Sequence, residues 1–188
     1  MPEFGRAEIR DALDELSEAL ARDRRRAHIH MVGGGAMIML YGRRTLTGDI
    51  DVAIAEGHGP VLGAVRRIAM RRGWPTTWLN EQAAMYRPQA PDPAPRPLYS
   101  SPSLVVMGAS PEYMLAMKLQ AARGADAGDL RLLLELCGVS ALEDALAIHD
   151  KLFPDRPAGD RQQRFLAMVL AAGGTDPAEG PADTPPDG

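Results

Sequence analysis

A chain of 188 residues is long enough to bury one sizeable core, and 45% hydrophobic with 24% charged residues is the balance of a folded globular protein. The formal net charge of -4 excludes a general attraction for polyanions, so any nucleic-acid contact has to be local. A single cysteine, Cys137, excludes an intrachain disulfide and a cysteine-built zinc site, and it fits a reducing cytoplasm. The first thirty residues lack the apolar stretch of a signal peptide, and no uncharged apolar run approaches the ~18 residues of a membrane span. A cytoplasmic protein without membrane contact is therefore expected.

Ile9, Leu13, Leu16 and Leu20 recur at spacings of three and four, which predicts an amphipathic helix from Ala7 to about Arg22. The run Ala27 to Val32 alternates as a short strand and meets Gly33-Gly34-Gly35, where the chain turns before a second helix, Ala36 to Tyr41. After a loop from Gly42 to Gly48, Asp49 to Ile54 reads as a strand with Ile50, Val52 and Ile54 on one face and the carboxylates on the other. Val61, Leu62, Val65, Ile68 and Ala69 mark a third helix ending near Gly73, with Arg66, Arg67, Arg71 and Arg72 outward. The five prolines between Arg87 and Pro97 predict a loop or extended connection, and a strand follows at Leu104 to Met107.

From Pro111 onward the pattern is helical. Ser110 caps a helix carrying Met114, Leu115, Met117, Leu119 and Ala122; further helices are expected at Leu130 to Leu136, Leu142 to Ile148 and Phe165 to Leu170. Gly173 to Gly188 holds no apolar anchor larger than Ala and reads as a disordered acidic tail. The organisation expected is a core over residues 1–108, a helical subdomain over 109–172 and the tail over 173–188.

Acids at i and i+2 of a strand share one face, with Cβ atoms roughly 6 to 7 Å apart. Asp49 and Asp51 can thus hold Mg²⁺ or Mn²⁺, hard cations that take oxygen ligands and keep sites for water and phosphate. Two solvent-facing acids on an edge strand would give the same pattern. The glycines before the second helix add context, because a strand ending in a glycine turn presents backbone N–H groups and a positive helix end to an anion. His28 and His30 also share a strand face, but half-buried histidines beside a polar surface account for them, and they are left out of the site. Arg22, Arg24, Arg25 and Arg26, like the arginines of the third helix, read as solvated surface with RNA phosphates as a less favoured partner.

Val32-Gly33-Gly34 followed by Thr47-Gly48-Asp49-Ile50-Asp51-Val52 resembles the signature of the polymerase-β-type nucleotidyltransferase superfamily. Trp78-Leu79-Asn80, the stretch Glu112 to Leu119, and Ala121-Ala122-Arg123 with Asp126 and Asp129 extend the likeness to a bacterial family of such enzymes related to the AbiEii and MenT toxins. The resemblance runs from about Ala27 to Leu170. It implies an α/β (α+β) fold: a polymerase-β-like nucleotidyltransferase core with a mixed sheet and flanking helices, followed by a C-terminal helical bundle.

It also implies Mg²⁺ on Asp49 and Asp51, with catalytic roles for Asp49, Asp51, Lys118 and Asp129. Gly33, Gly34, Arg44, Thr47 and Lys118 would bind a nucleoside triphosphate, Lys118 as a point charge. The implied reaction moves a nucleoside monophosphate to RNA, such as tRNA, or to protein, in the manner of a toxin with an antitoxin partner. A small-molecule nucleotidyltransferase and a catalytically weak nucleotide-binding module are the competing readings. Two departures stand out. The toxins it resembles usually carry an arginine four residues before the first aspartate, where this chain has Thr45 with Arg44 beside it. Many superfamily members carry a third carboxylate on a later strand, and Leu104 to Met107 has none. That leaves open substitution by Asp126 or Asp129, a single metal, or an impaired enzyme.

Overall fold

The structure, a computed structural model, describes residues 2–173. Among the described residues the chain folds into a five-stranded mixed sheet and seven α-helices. Helix α1 (Arg6–Arg22) buries Ile9, Leu13, Leu16 and Leu20 completely, as their spacing predicts. Strand β1 (Ala27–Met31) lies at the centre of the sheet, antiparallel to β2 (Ile50–Glu56) and parallel to β5 (Leu104–Gly108). The short β3 (Leu79–Asn80) runs parallel to β2 at one edge, and β4 (Arg96–Ser100) runs antiparallel to β5 at the other. The strand order is β3-β2-β1-β5-β4.

Period-two patterning decides which face is closed. Ala27, Ile29, Met31, Ile50, Val52, Leu104 and Val106 are buried, and α1 and α3 (His58–Arg72) pack together over the sheet. The alternate residues His28, His30, Asp51 and Ala53 are half-buried, leaving that face available for other chemistry. Helix α2 (Gly33–Tyr41) joins β1 to the loop before β2. Helices α4 (Pro111–Ala121), α5 (Ala127–Cys137), α6 (Leu142–Leu152) and α7 (Asp160–Gly173) form the C-terminal half. Leu115, Leu119, Leu133, Phe153 and Leu166 belong to the same buried cluster as Ile29, Val52 and Val106, so helices and sheet share one core.

Ser110 caps α4 as expected, its hydroxyl accepting from the Tyr113 N–H at 3.2 Å. Among the differences from the sequence reading, three are informative. Helix α2 starts at Gly33, so the glycines form its first turn instead of a separate bend. Strand β2 starts at Ile50 and leaves Asp49 in the bend before it. Strand β4, unexpected among prolines, is an edge strand, where Pro97 has no ladder N–H to forfeit on a second side. Of the expected tail, Gly173 ends α7 and the remainder lies outside the described residues. No helix among the described residues is long and apolar enough to cross a membrane.

Topology gathers the chain's polar groups at one end of the sheet. Because β2 is antiparallel to β1, the start of β2 lies beside the end of β1, and the Val32 N–H donates to the Asp51 carbonyl at 2.9 Å. Parallel pairing sets Asn80 of β3 opposite Asp51, and β5 ends level with β1 before feeding α4. Trp78 anchors this edge: it is fully buried, its carbonyl accepts from the Ile50 N–H at 2.8 Å, and its indole N–H donates to the Val65 carbonyl at 3.1 Å. Trp78→Phe should therefore lower unfolding free energy by about 1–3 kcal/mol, because it removes the indole bond to the Val65 carbonyl and leaves a gap behind the ring. Urea unfolding followed by circular dichroism measures this, and a change below ~0.5 kcal/mol would show that Trp78 does not hold the edge.

Candidate functional site

At this end of the sheet lies a cavity of about 210 Å³, lined by Gly33, Gly34, Arg44, Thr47, Asp49, Asp51, Ala83, Tyr86, Met114, Met117, Lys118, Ala121, Arg123 and Asp126. Asp49 and Asp51 share it, although only Asp51 belongs to β2. Residues 114, 117, 118 and 121 follow one face of α4, so a single helix supplies both the Lys118 ammonium and an apolar wall. Ala83 and Tyr86 come from a 3-10 turn, Gln82–Tyr86, directly after β3.

The carboxylate pair is electrostatically strained. Burial pushes the Asp51 carboxyl up, the charge of Asp49 pushes it further, and the result is about 6 even though Arg123, Lys118 and the Ala83 N–H pull the other way. Asp49 is held by Asn80, whose Nδ2 donates to its Oδ2 at 2.9 Å. Oxygen donors of like charge, close enough that Asp49 raises the proton affinity of Asp51, suit a hard divalent cation, which would relieve that repulsion. Among the described residues no group of three or more His, Cys, Asp or Glu side chains is placed to hold a metal. Asp49 and Asp51 are thus the residues available, and neither Asp126 nor Asp129 completes a triad with them.

Those two acids are engaged elsewhere. Lys118, only 8% exposed, donates from Nζ to Asp126 Oδ1 at 2.5 Å and to Asp129 Oδ2 at 2.8 Å. Arg44 donates from Nε to Asp129 Oδ2 at 2.8 Å and from Nη2 to Asp126 Oδ1 at 3.2 Å. Two cations and two carboxylates therefore form a compact cluster that ties α4, the loop before β2 and the start of α5 together. Burial alone would push Asp129 up, but the hydrogen bonds from Arg44 and Lys118 outweigh it and hold this carboxyl below the usual range. Asp126 lines the cavity, whereas Asp129 lies behind it, against a shallower groove with Arg43, Arg44 and Gly128.

The glycines have a more local reason than the sequence suggested. Gly33 adopts φ +61, and a Cβ there would lie 2.6 Å from Asp51 Oδ2. A Cβ on Gly34 would lie 2.5 Å from Thr47 Oγ1. Both positions are glycine because Asp51 and Thr47 occupy the space of a side chain, and this draws the start of α2 against the carboxylate pair. No side chain caps that helix start, and Gly33 and Gly34 of its first turn line the cavity.

Every residue predicted for the site except Asp129 lines this one cavity: Gly33, Gly34, Arg44, Thr47, Asp49, Asp51 and Lys118. The sequence reading did not single out Tyr86, or the Asn80 bond to Asp49. Arg123, noted only as part of a motif, lies over the Tyr86 ring at 4.8 Å from the centroid and faces Asp51 in charge. A signal for Asn80 existed, since an amide after the buried pair Trp78-Leu79 needs polar partners. His30 pairs instead with Asp92, at 3.0 Å, and stands outside the cavity.

No family model matches the sequence, no curated protein matches it, and no solved structure matches it. The geometry of the cavity therefore carries the functional reading.

The raised proton affinity of Asp51 predicts a pH dependence. Its ordinary value is 3.8 and its folded value about 6, so between these the native state holds a proton that the unfolded chain has released. Stability from this group falls as pH rises through that window, and the penalty persists above about 6. Asp51→Asn should consequently melt at a higher temperature than wild type at pH 7.5, with the gap closing near pH 4. A gap independent of pH, measured by calorimetry in EDTA, would contradict the assignment.

Proposed function

We propose that this chain is a divalent-metal-dependent nucleotidyltransferase that moves a nucleoside monophosphate from a triphosphate to a hydroxyl on RNA or protein. The observation that carries this reading is the meeting of the Asp49–Asp51 pair, the uncapped start of α2 and the cations Arg44, Lys118 and Arg123 in one cavity. Carboxylates gather a metal, while an N-terminal helix end and cations gather phosphate, and nucleotidyl transfer needs both within reach of one phosphorus atom. At about 210 Å³ the cavity is smaller than the roughly 300–1,000 Å³ of sites that enclose drug-sized ligands, so it encloses part of a nucleotide and leaves the rest at the mouth, where an acceptor arrives.

Asp49 and Asp51 would hold Mg²⁺ or Mn²⁺, which when bound offsets the charge that develops on the α-phosphate and the leaving pyrophosphate. Lys118 and Arg44, held in direction by Asp126 and Asp129, present their remaining N–H groups to phosphate oxygens. In the reaction an acceptor oxygen bonds to the α-phosphorus, the bridge from the α- to the β-phosphate breaks, and pyrophosphate leaves with that electron pair. The acceptor's proton passes to a carboxylate oxygen or water. Arg123, beside Asp51 and over Tyr86, supplies a further cation at the mouth.

A second reading has its own support. Arg44 and Lys118 are already paired with carboxylates, which favours a nucleotide-binding module of weak catalytic power. One experiment separates the two: purified protein is incubated with each α-labelled triphosphate, Mg²⁺ and total RNA or lysate, and the label is located. Wild type should transfer label. Asp51→Ala should lose turnover by ~10²-fold or more, because a ligand lost from the metal damages the transition state more than the ground state. Label bound but never transferred, in wild type and variant alike, would leave the binding module as the function.

A further inference from the structure

Asn80 stands beside the carboxylate pair, its side-chain amide bonded to Asp49. It is 8% exposed and lies in β3, the edge strand beside β2, in register with Asp51. Three partners fix its side chain. Nδ2 donates to Asp49 Oδ2 at 2.9 Å and to the Thr77 carbonyl at 3.0 Å, while Oδ1 accepts from the Gln82 N–H at 2.7 Å. Two acceptors on one side and a donor on the other allow a single orientation of the amide, so an N–H group, never an oxygen lone pair, is turned to Asp49.

Two consequences follow from that orientation. Asp49 stands outside the strand ladder, in a bend that does not by itself fix a side chain, and the Asn80 bond supplies the missing restraint. Beside the pair, β3 thus presents an amide whose oxygen is turned away to the Gln82 N–H, where a carboxylate would have turned an oxygen to Asp49. Asp126, which lines the same cavity, and Asp129 behind it are held by Arg44 and Lys118.

We propose that Asn80 is a positioning residue that orients Asp49 and limits the site to a single divalent cation. The inference rests on the metal-dependent reading above, and its test reads the cation directly without turnover. The full chain is titrated with Mn²⁺ in the absence of nucleotide and acceptor, with bound and free ion distinguished by electron paramagnetic resonance and the fold checked by circular dichroism. Wild type should bind one Mn²⁺. Asn80→Ala should bind the same number with affinity weaker by roughly 10- to 100-fold, the usual effect of removing a partner that orients a ligand. Asn80→Asp keeps an acceptor for the Gln82 N–H but turns an oxygen to Asp49, so it should bind Mn²⁺ more tightly or take up a second ion, with a larger rise in melting temperature on adding Mn²⁺ than wild type shows.

Two ions on wild type, or unchanged affinity in folded Asn80→Ala, would overturn the role of Asn80 and leave the nucleotidyltransferase reading standing. If Asn80→Ala does not fold, Asn80→Asp decides alone, and the absence of any gain over wild type overturns the proposal. No Mn²⁺ bound by wild type at millimolar concentration would overturn both readings together.

Discussion

Asp49 and Asp51 are kept within reach of one another in a half-buried cavity although their charges repel, and much of the surrounding architecture answers that constraint. Two carboxylates in water would separate. Here the chain holds one by the β2 ladder and the other by a hydrogen bond from the adjacent edge strand. The antiparallel pairing of β1 with β2 brings the start of α2 to the same point, and glycine at 33 allows its backbone to come close to Asp51. The energetic sign of the arrangement is visible in Asp51 itself, whose proton affinity rises because burial and Asp49 together penalise its charge. Such strain at a cleft costs stability, and it is what the cation of the proposed function would relieve.

The remainder of the charge around the cavity is arranged differently. Asp126 and Asp129 each meet both Arg44 and Lys118, giving a mutually satisfied cluster. Removing one member would take one partner from each opposite charge and leave the cluster unbalanced, so this cluster costs more when broken than while intact. The same end of the sheet thus holds an unbalanced carboxylate pair beside a balanced cluster, and the difference says which of the four acids is available to a metal. Distance along the chain does not reveal this, because Arg44 reaches Asp129 across 85 positions.

The sequence made the periodic elements legible. Helix α1, strands β1 and β5, and α4 with its Ser110 cap follow from apolar spacing and capping chemistry, and the mixed α/β architecture follows from their order. Most candidate site residues could also be read, since glycine turn and Asp-x-Asp lie on elements whose periodicity is plain. What escaped was set by tertiary pairing. Strand β4 is recognisable only once β5 is beside it, for prolines argue against a strand unless it is at an edge. Gly33 and Gly34 read as room for a phosphate, yet the space beside them is filled by Asp51 and Thr47, side chains 18 and 13 positions further on. Asn80 and Tyr86 sit in a two-residue strand and a 3-10 turn, elements too short to announce which way a side chain points.

The paired state of Lys118 and Arg44 bears on whether the cavity can act on phosphate at all. An ammonium has three donors and a guanidinium five, so two bonds from each to Asp126 and Asp129 leave one on Lys118 and three on Arg44. The carboxylates therefore restrict direction without exhausting donor capacity. A long cation that is free in solution loses rotamer freedom when it grips a ligand, whereas one already fixed by neighbours has lost that freedom on folding. The opposing effect is that the same carboxylates lower the net attraction of the cavity for an anion. With Asp49 and Asp51 also acidic, the proposed function requires a cation to accompany the triphosphate. On that proposal, charge pairing and pre-organisation together would make the site selective for a metal-bound polyphosphate over a bare one, through the placement of four acids and not through any contact with the base.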